Sequence, residues 1–187
     1  FVADTAYRAA RMPNMGETIM GTSFALGPGG KGSNQAIACA RMGAETHIIS
    51  KLGQDDFSKL AFDTWKKAGV IPHVQQLSSS YTGAAHIFIE DSTGDNAIIV
   101  APGAATLIDI AFIHAHAALI ADSDVFVTQL EQPMDAAMCG LEIARAAGVT
   151  TVLNPAPAAI LPDGMLALCD YVTPNETECE FLTGISV

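Results

Sequence analysis

Residues 124–153 read DVFVTQLEQPMDAAMCGLEIARAAGVTTVL. Asp124–Leu130 is a short apolar, β-branched run, the pattern of a buried strand. Pro133 then opens a helical stretch, 133–147, and Gly148 closes it. Val149–Leu153 is a second strand. Strand, helix and strand in that order imply a βαβ crossover and a parallel sheet.

The same alternation extends outward. Ser33–Met42 is predicted as a helix ended by Gly43, and Thr46–Leu52 as a strand. Phe57, Leu60, Ala61, Thr64, Trp65 and Ala68 share one helical face, which Asp55 or Asp56 starts and Gly69 stops. Tyr171–Thr173 is a short strand before a last helix. Two stretches break the pattern. Thr82–Glu90 and Asn96–Ala101 flank the turn DSTGD, which predicts a β-hairpin. Glu17–Leu26 is extended and carries no helical stripe. These pieces, roughly 5–26 and 82–101, are expected to form a small antiparallel β lid on the α/β body.

Composition narrows the function. Of 187 residues, 9 are basic and 20 acidic, a formal charge of −11, and half are apolar. That is too apolar and too lightly charged for a disordered chain. No apolar run reaches the ~18 residues of a membrane span. So acidic a chain has no electrostatic grip on nucleic acid or anionic lipid, and neither is expected as a partner. The start, FVADTAYRAARMP, lacks a signal-peptide pattern, and the cysteines show no CxxC or zinc spacing. A cytoplasmic location follows as an expectation, with Cys39 and Cys139 as buried thiols. Both ends look cut.

The richest motif is Gly27-Pro28-Gly29-Gly30-Lys31-Gly32-Ser33-Asn34-Gln35. Glycines before a helix let a ligand approach the backbone, and the helix start offers unpaired N–H groups. Lys31 and Asn34 add side-chain donors. The set suits a polyhydroxylated or phosphorylated small molecule, although an ordinary glycine-rich turn would read alike. A dinucleotide fingerprint, G-x-G-x-x-G, is met by Gly27, Gly29 and Gly32, but the acidic partner about 20 residues on is missing. A Walker A loop fails because Gly32 follows Lys31.

Thr173-Pro174-Asn175-Glu176-Thr177-Glu178 opens the last helix. Asn175 and Glu178 fit a capping box, or a pair that orders water around Mg²⁺ and phosphate. Asn154-Pro155-Ala156-Pro157 is a stiff link after a strand, most simply structural. Glu131 follows a buried strand, where open α/β sheets keep ligands, and Asp4 sits at a presumed strand end. The five histidines are scattered and suggest no metal site.

Together, GGKGSNQA, the QLE strand end, LNPAPA and TPNETECEFLTG resemble the PfkB family of carbohydrate kinases, in its ribokinase-like branch. The resemblance implies an α/β, ribokinase-like fold: a mostly parallel sheet flanked by helices, with a small antiparallel β lid. It implies that 1–187 is the N-terminal part of such a domain, with the C-terminal half absent. The implied activity is ATP-dependent phosphorylation of D-ribose to D-ribose 5-phosphate. Deoxyribose or another furanose, or a non-catalytic sugar-binding regulator, are the alternatives. The family's sugar ligands map to Asp4, Gly29, Gly30, Lys31, Asn34 and Glu131, with Ala85 and Ile87 closing over the sugar as a lid. Asn175 maps to nucleotide binding and Glu178 to Mg²⁺. A homodimer through the lid is implied, with Ile87, Ile89, Ile98 and Val100 on the exposed hairpin. The family's Gly-Ala-Gly-Asp motif, which carries the anion hole and catalytic base, does not occur here. The adenine pocket and a monovalent-cation (K⁺) site belong to that same half, so this chain alone is expected to be inactive. Val2 replaces a common Asn two residues before Asp4, and Ser58 replaces the glycine ending the Gly53–Phe57 stretch.

Overall fold

The computed structural model describes residues 1–186, in two compact units divided after Ala104. The first runs β1 (Val2–Ala9), β2 (Ser23–Gly29), α1 (Lys31–Arg41), β3 (Thr46–Gly53), α2 (Asp56–Ala68), β4 (Val70–Leu77), β5 (Thr82–Glu90) and β6 (Asn96–Gly103). The second runs α3 (Ile110–His114), α4 (Ala117–Ala121), β7 (Val125–Thr128), α5 (Met134–Ala146), β8 (Thr150–Leu153), β9 (Tyr171–Val172) and α6 (Glu176–Thr183).

In the first unit a four-stranded sheet has the order β2-β1-β5-β6, and β3 and β4 form a separate parallel pair. The hairpin β5–β6 is as expected. The four-stranded sheet, expected as an antiparallel lid, is mixed: β1 runs parallel to β5 while pairing antiparallel with β2. Parallel neighbours need a long crossover, and the chain from β2 through β4 supplies it. Asp4 therefore lies inside β1, not at a strand end, because the strand runs on to Ala9. Residues 17–22 stay outside any strand. Glu17 instead pairs with Arg11 and accepts from the Asn14 N–H at 2.9 Å.

Trp65 organises the core of this unit. It is fully buried, with Phe1 and Phe62 set edge-on at centroid distances of 5.7 and 5.9 Å. Its indole Nε1–H donates to the Ser33 hydroxyl at 2.9 Å, which joins α2 to α1. Ser33, Ala36 and Ile37 form the inward stripe of α1. Cys39 falls outside that stripe and is exposed, against the expectation of a buried thiol. Asp55 caps α2 as expected, accepting from the Ser58 N–H at 2.9 Å, and Gly69 ends the helix at φ +81°. The second Asp55 oxygen accepts from the Thr82 N–H at 2.7 Å, tying α2 to the start of β5.

In the second unit β7, β8 and β9 form one parallel sheet, with α5 crossing between β7 and β8. The strand–helix–strand order read in 124–153 thus holds, with Pro133 at the N-cap of α5, but β7 is shorter than the buried strand expected over Asp124–Leu130, and only Thr128 of its residues is buried. Leu141, Leu153 and Met165 are fully buried at its centre. Cys139 is buried, as expected, on α5; burial, with Glu142 and Asp135 nearby, raises its thiol pKa. Among the described residues no helix is long and apolar enough to cross a membrane.

Burial pushes the Asp55 pKa up, but the hydrogen bonds from Thr82 and Ser58 outweigh it and hold the carboxyl below its usual range. A depressed carboxylate stabilises the fold above the unfolded value of about 3.9, and that contribution fades as pH falls through the folded value. Asp55→Asn should cost about 1–3 kcal/mol at neutral pH by facing an amide toward the Thr82 N–H. Denaturation curves should show the gap between parent and variant narrowing below about pH 4.

Candidate functional site

The first unit places Asp4, Gly29, Ala85 and Ile87 on one face of its four-stranded sheet. Asp4 stands opposite Gly27 on β2 and Ala85 on β5. Ile87, two residues on, is opposite Ala6 and shares that face. The cross-strand positions nearest Asp4 on this face are Gly27, Gly29, Gly83 and Ala85, all with little or no side chain, while Val2 and Ala6 flank it along β1. A Cβ on Gly29 would overlap the Asp4 carboxylate, so that group lies across the glycine.

Gly30 turns β2 into α1 with φ +87°, and a Cβ there would come within 2.9 Å of the Phe1 Cα and the Val2 N. The helix begins at Lys31, two residues before the predicted start, because this turn already brings the chain into helical register. The Asn34 N–H closes the first turn on the Gly30 carbonyl at 2.9 Å. Lys31 is partly buried and Asn34 exposed in that turn. A helix start carries N–H groups without intrahelical partners and positive potential. A carboxylate acceptor, an ammonium, an amide and a helix N-terminus thus share one end of the unit. Mixed donors and acceptors of this kind can bond vicinal hydroxyls.

Ser58, where the family pattern has glycine, is built into the structure. Its hydroxyl donates to the Asp55 carbonyl at 2.7 Å and accepts from the Gln76 amide at 3.1 Å.

In the second unit Glu131, Asn175 and Glu178 all follow the carboxyl ends of the parallel strands. Glu131 is partly buried in the loop 129–132. Gln132 pins this loop by donating to the Gln129 carbonyl at 2.6 Å and the Thr128 hydroxyl at 2.8 Å. The Leu130 N–H ties it to the Ala156 carbonyl at 3.0 Å. Asn175 and Glu178 form the capping box of α6, each side chain accepting from the other's N–H, at 2.8 and 2.9 Å. The box uses Glu178 Oε2 and leaves Oε1 and the Asn175 amide N–H groups outside it. Glu178 is 8% exposed. One carboxylate oxygen left outside a capping box fits the donor chemistry of Mg²⁺, which keeps waters and takes few protein ligands. Among the described residues no group of three metal-binding side chains occurs.

An open hollow lined by Arg145, Thr150, Asp170 and Tyr171 lies at the opposite, amino end of β8 and β9 and holds none of the motif residues. There Asp170 accepts from the Thr151 N–H at 2.9 Å and pairs with Arg145, in that order of weight, which keeps its pKa low. Sequence reasoning singled out Glu131 but not Gln132, whose amide pins the Glu131 loop.

The pattern of the pfkB family carbohydrate kinases matches residues 2–186. The ribokinase of Haemophilus influenzae is 41% identical over 173 residues, covering 92% of this chain and 56% of that protein. That of Staphylococcus aureus is 45% identical over 161 residues, covering 85% and 52%. A structure of Arabidopsis thaliana ribokinase complexed with ribose and ATP superposes with a TM-score of 0.92 at 28% identity, over 99% of this chain and 61% of that one. The chain spans little more than half the length of the curated relatives it matches.

The overlap at Gly29 can be measured. Gly29→Ala should displace the Asp4 carboxylate and cost about 1–3 kcal/mol. In combination with Asp4→Ala most of that cost should disappear, which a double-mutant cycle in denaturant would read as coupling. Additive costs would show that the two residues do not touch.

Proposed function

We propose, from the premise that the chain belongs to the PfkB family of carbohydrate kinases, that the full-length protein transfers the γ-phosphoryl group of ATP to D-ribose, giving ADP and D-ribose 5-phosphate. The observation that carries this reading is the Asp4 carboxylate laid across Gly29 beside the start of α1. Such a cradle suits a small polyhydroxylated ring. In this reading Asp4 accepts from sugar hydroxyls, Lys31 and Asn34 donate to them, and Gly29 and Gly30 allow the close approach. Glu131 is a further hydroxyl acceptor. Ala85 and Ile87 belong to a lid that keeps water from the phosphoryl donor.

Asn175 is assigned to the nucleotide and Glu178 to Mg²⁺, which when bound neutralises phosphate charge. In the reaction the sugar hydroxymethyl oxygen bonds to the γ-phosphorus, the bond to the β–γ bridging oxygen breaks, and the hydroxyl proton passes to a base. The family's Gly-Ala-Gly-Asp base segment has no match in this sequence. We therefore infer that turnover, the adenine pocket and any K⁺ site need residues beyond this chain, and that the chain alone binds without turning over. A cytoplasmic setting accords with four free thiols.

The lid is also the proposed homodimer face. Ile98, Ile99 and Val100 on the edge strand β6 are 53, 69 and 53% exposed, an apolar edge that a second copy would cover. Ile87 and Ile89, expected in the same exposed group, are partly buried.

With the full-length protein, ADP release should depend on added ribose more than on deoxyribose or fructose. Absence of any pentose stimulation would refute the reading. Glu178→Gln keeps a capping-box residue, so it should raise the KM for Mg-ATP by at least about tenfold, roughly 1.4 kcal/mol, and leave ribose affinity intact. Ile99→Glu should shift the protein to monomers in sedimentation.

A further inference from the structure

At the carboxyl edge of the β7–β8–β9 sheet, Asn154 Oδ1 is buried and has no hydrogen-bond partner among the described residues. The residue itself is firmly held. Its N–H donates to the Thr128 carbonyl at 2.9 Å, and its carbonyl accepts from the Ala156 N–H at 2.8 Å. These bonds fix the backbone that carries the orphan oxygen.

A buried carbonyl oxygen without a donor loses its hydration and gains nothing in return. An apolar side chain of similar volume would fill the place at lower energy. The oxygen also lies at a telling position. Asn154 is the first residue past β8, the central strand, with the Glu131 loop after β7 on one side and the Asn175 helix after β9 on the other. Open parallel sheets hold their ligands at this edge. An acceptor cannot face phosphate oxygens, which are acceptors too, so its partner must be a donor, which a sugar hydroxyl or a water supplies.

We propose that Asn154 is a further substrate-binding residue, its Oδ1 accepting a hydrogen bond from an O–H donor that the substrates carry in. The donor is a sugar hydroxyl or a water held by the metal–nucleotide. This rests on the kinase reading above. It gives the Asn-Pro-Ala-Pro link a binding role where the sequence suggested only stiffness.

The test uses the full-length protein with Asn154→Leu and Asn154→Ala. Without ligand, both variants should melt at the parent's temperature or above, because they remove an unsatisfied acceptor. Calorimetry with ribose, and with Mg²⁺ plus an ATP analogue of non-hydrolysable β–γ bridge, should show at least a tenfold weaker Kd for one ligand. Loss for ribose identifies the sugar hydroxyl, and loss for the metal–nucleotide identifies the bound water. If both affinities match the parent, or if the variants only melt lower, the oxygen serves the fold and the proposal is overturned. If the parent binds neither ribose nor the nucleotide, the kinase reading fails and this inference falls with it. A parent that binds both, beside variants that bind both with the parent's affinity, refutes this inference alone.

Discussion

A carboxylate can lie against a neighbouring strand only where that strand has no side chain. Asp4 and Gly29 meet on those terms, and the first unit is arranged around the meeting. β2 ends in glycine, so the chain turns at Gly30 and enters α1 beside the carboxylate. The N-terminal end of a helix favours negative charge, which makes this a stable place for Asp4. On the other side of β1 the parallel partner offers Ala85, again small. The result is a sheet face whose cross-strand neighbours leave room for the carboxylate.

The two faces of this sheet consequently differ in chemistry. Asp4, Gly27 and Ala85 mark one. On the other, Tyr7 lies 5.0 Å from the Phe24 ring and 5.2 Å from His86. Tyr7 and Phe24 remain 44 and 57% exposed. Aromatic rings that stay half-exposed gain from being covered, whereas glycines around a carboxylate gain from a polar ligand. The strict two-residue alternation of a strand lets one short sheet present both surfaces.

That alternation explains what could be read in advance. The crossover at 124–153 was legible because Pro133 and Gly148 punctuate it and its strands are continuous apolar runs. The α2 face was legible from Phe57 to Ala68 because Asp55 and Gly69 bound it. β4 was not, since Pro72, Gln75 and Gln76 interrupt its apolar pattern and much of it is exposed. The parallel partnership of β1 and β5 joins residues about eighty positions apart, and no local pattern encodes such a pairing. Asp4 was set at a strand end and lies inside β1 for that reason. At Asn175 and Glu178 the residues were legible but their use was not. A capping box and a metal-side pair ask for the same two side chains, and the structure forms the box while leaving one carboxylate oxygen over.

The carboxyl edge of the second unit follows a different logic. Strand ends in a parallel sheet expose backbone carbonyls that need donors. Here the chain supplies them itself: Asn154 N–H to Thr128, Thr173 N–H to Leu153, and Leu130 N–H to Ala156, at 2.9, 2.9 and 3.0 Å. Gln132 spends its amide in the same way on the loop that carries Glu131. With the main chain satisfied, the edge is stiff, and its remaining polar capacity rests on side chains. An edge built like this holds its groups in place before a ligand arrives, so little ordering is left for binding to oppose. The buried Asn154 oxygen stands apart at this edge: the backbone around it is fully bonded, and the described residues give the oxygen itself no donor.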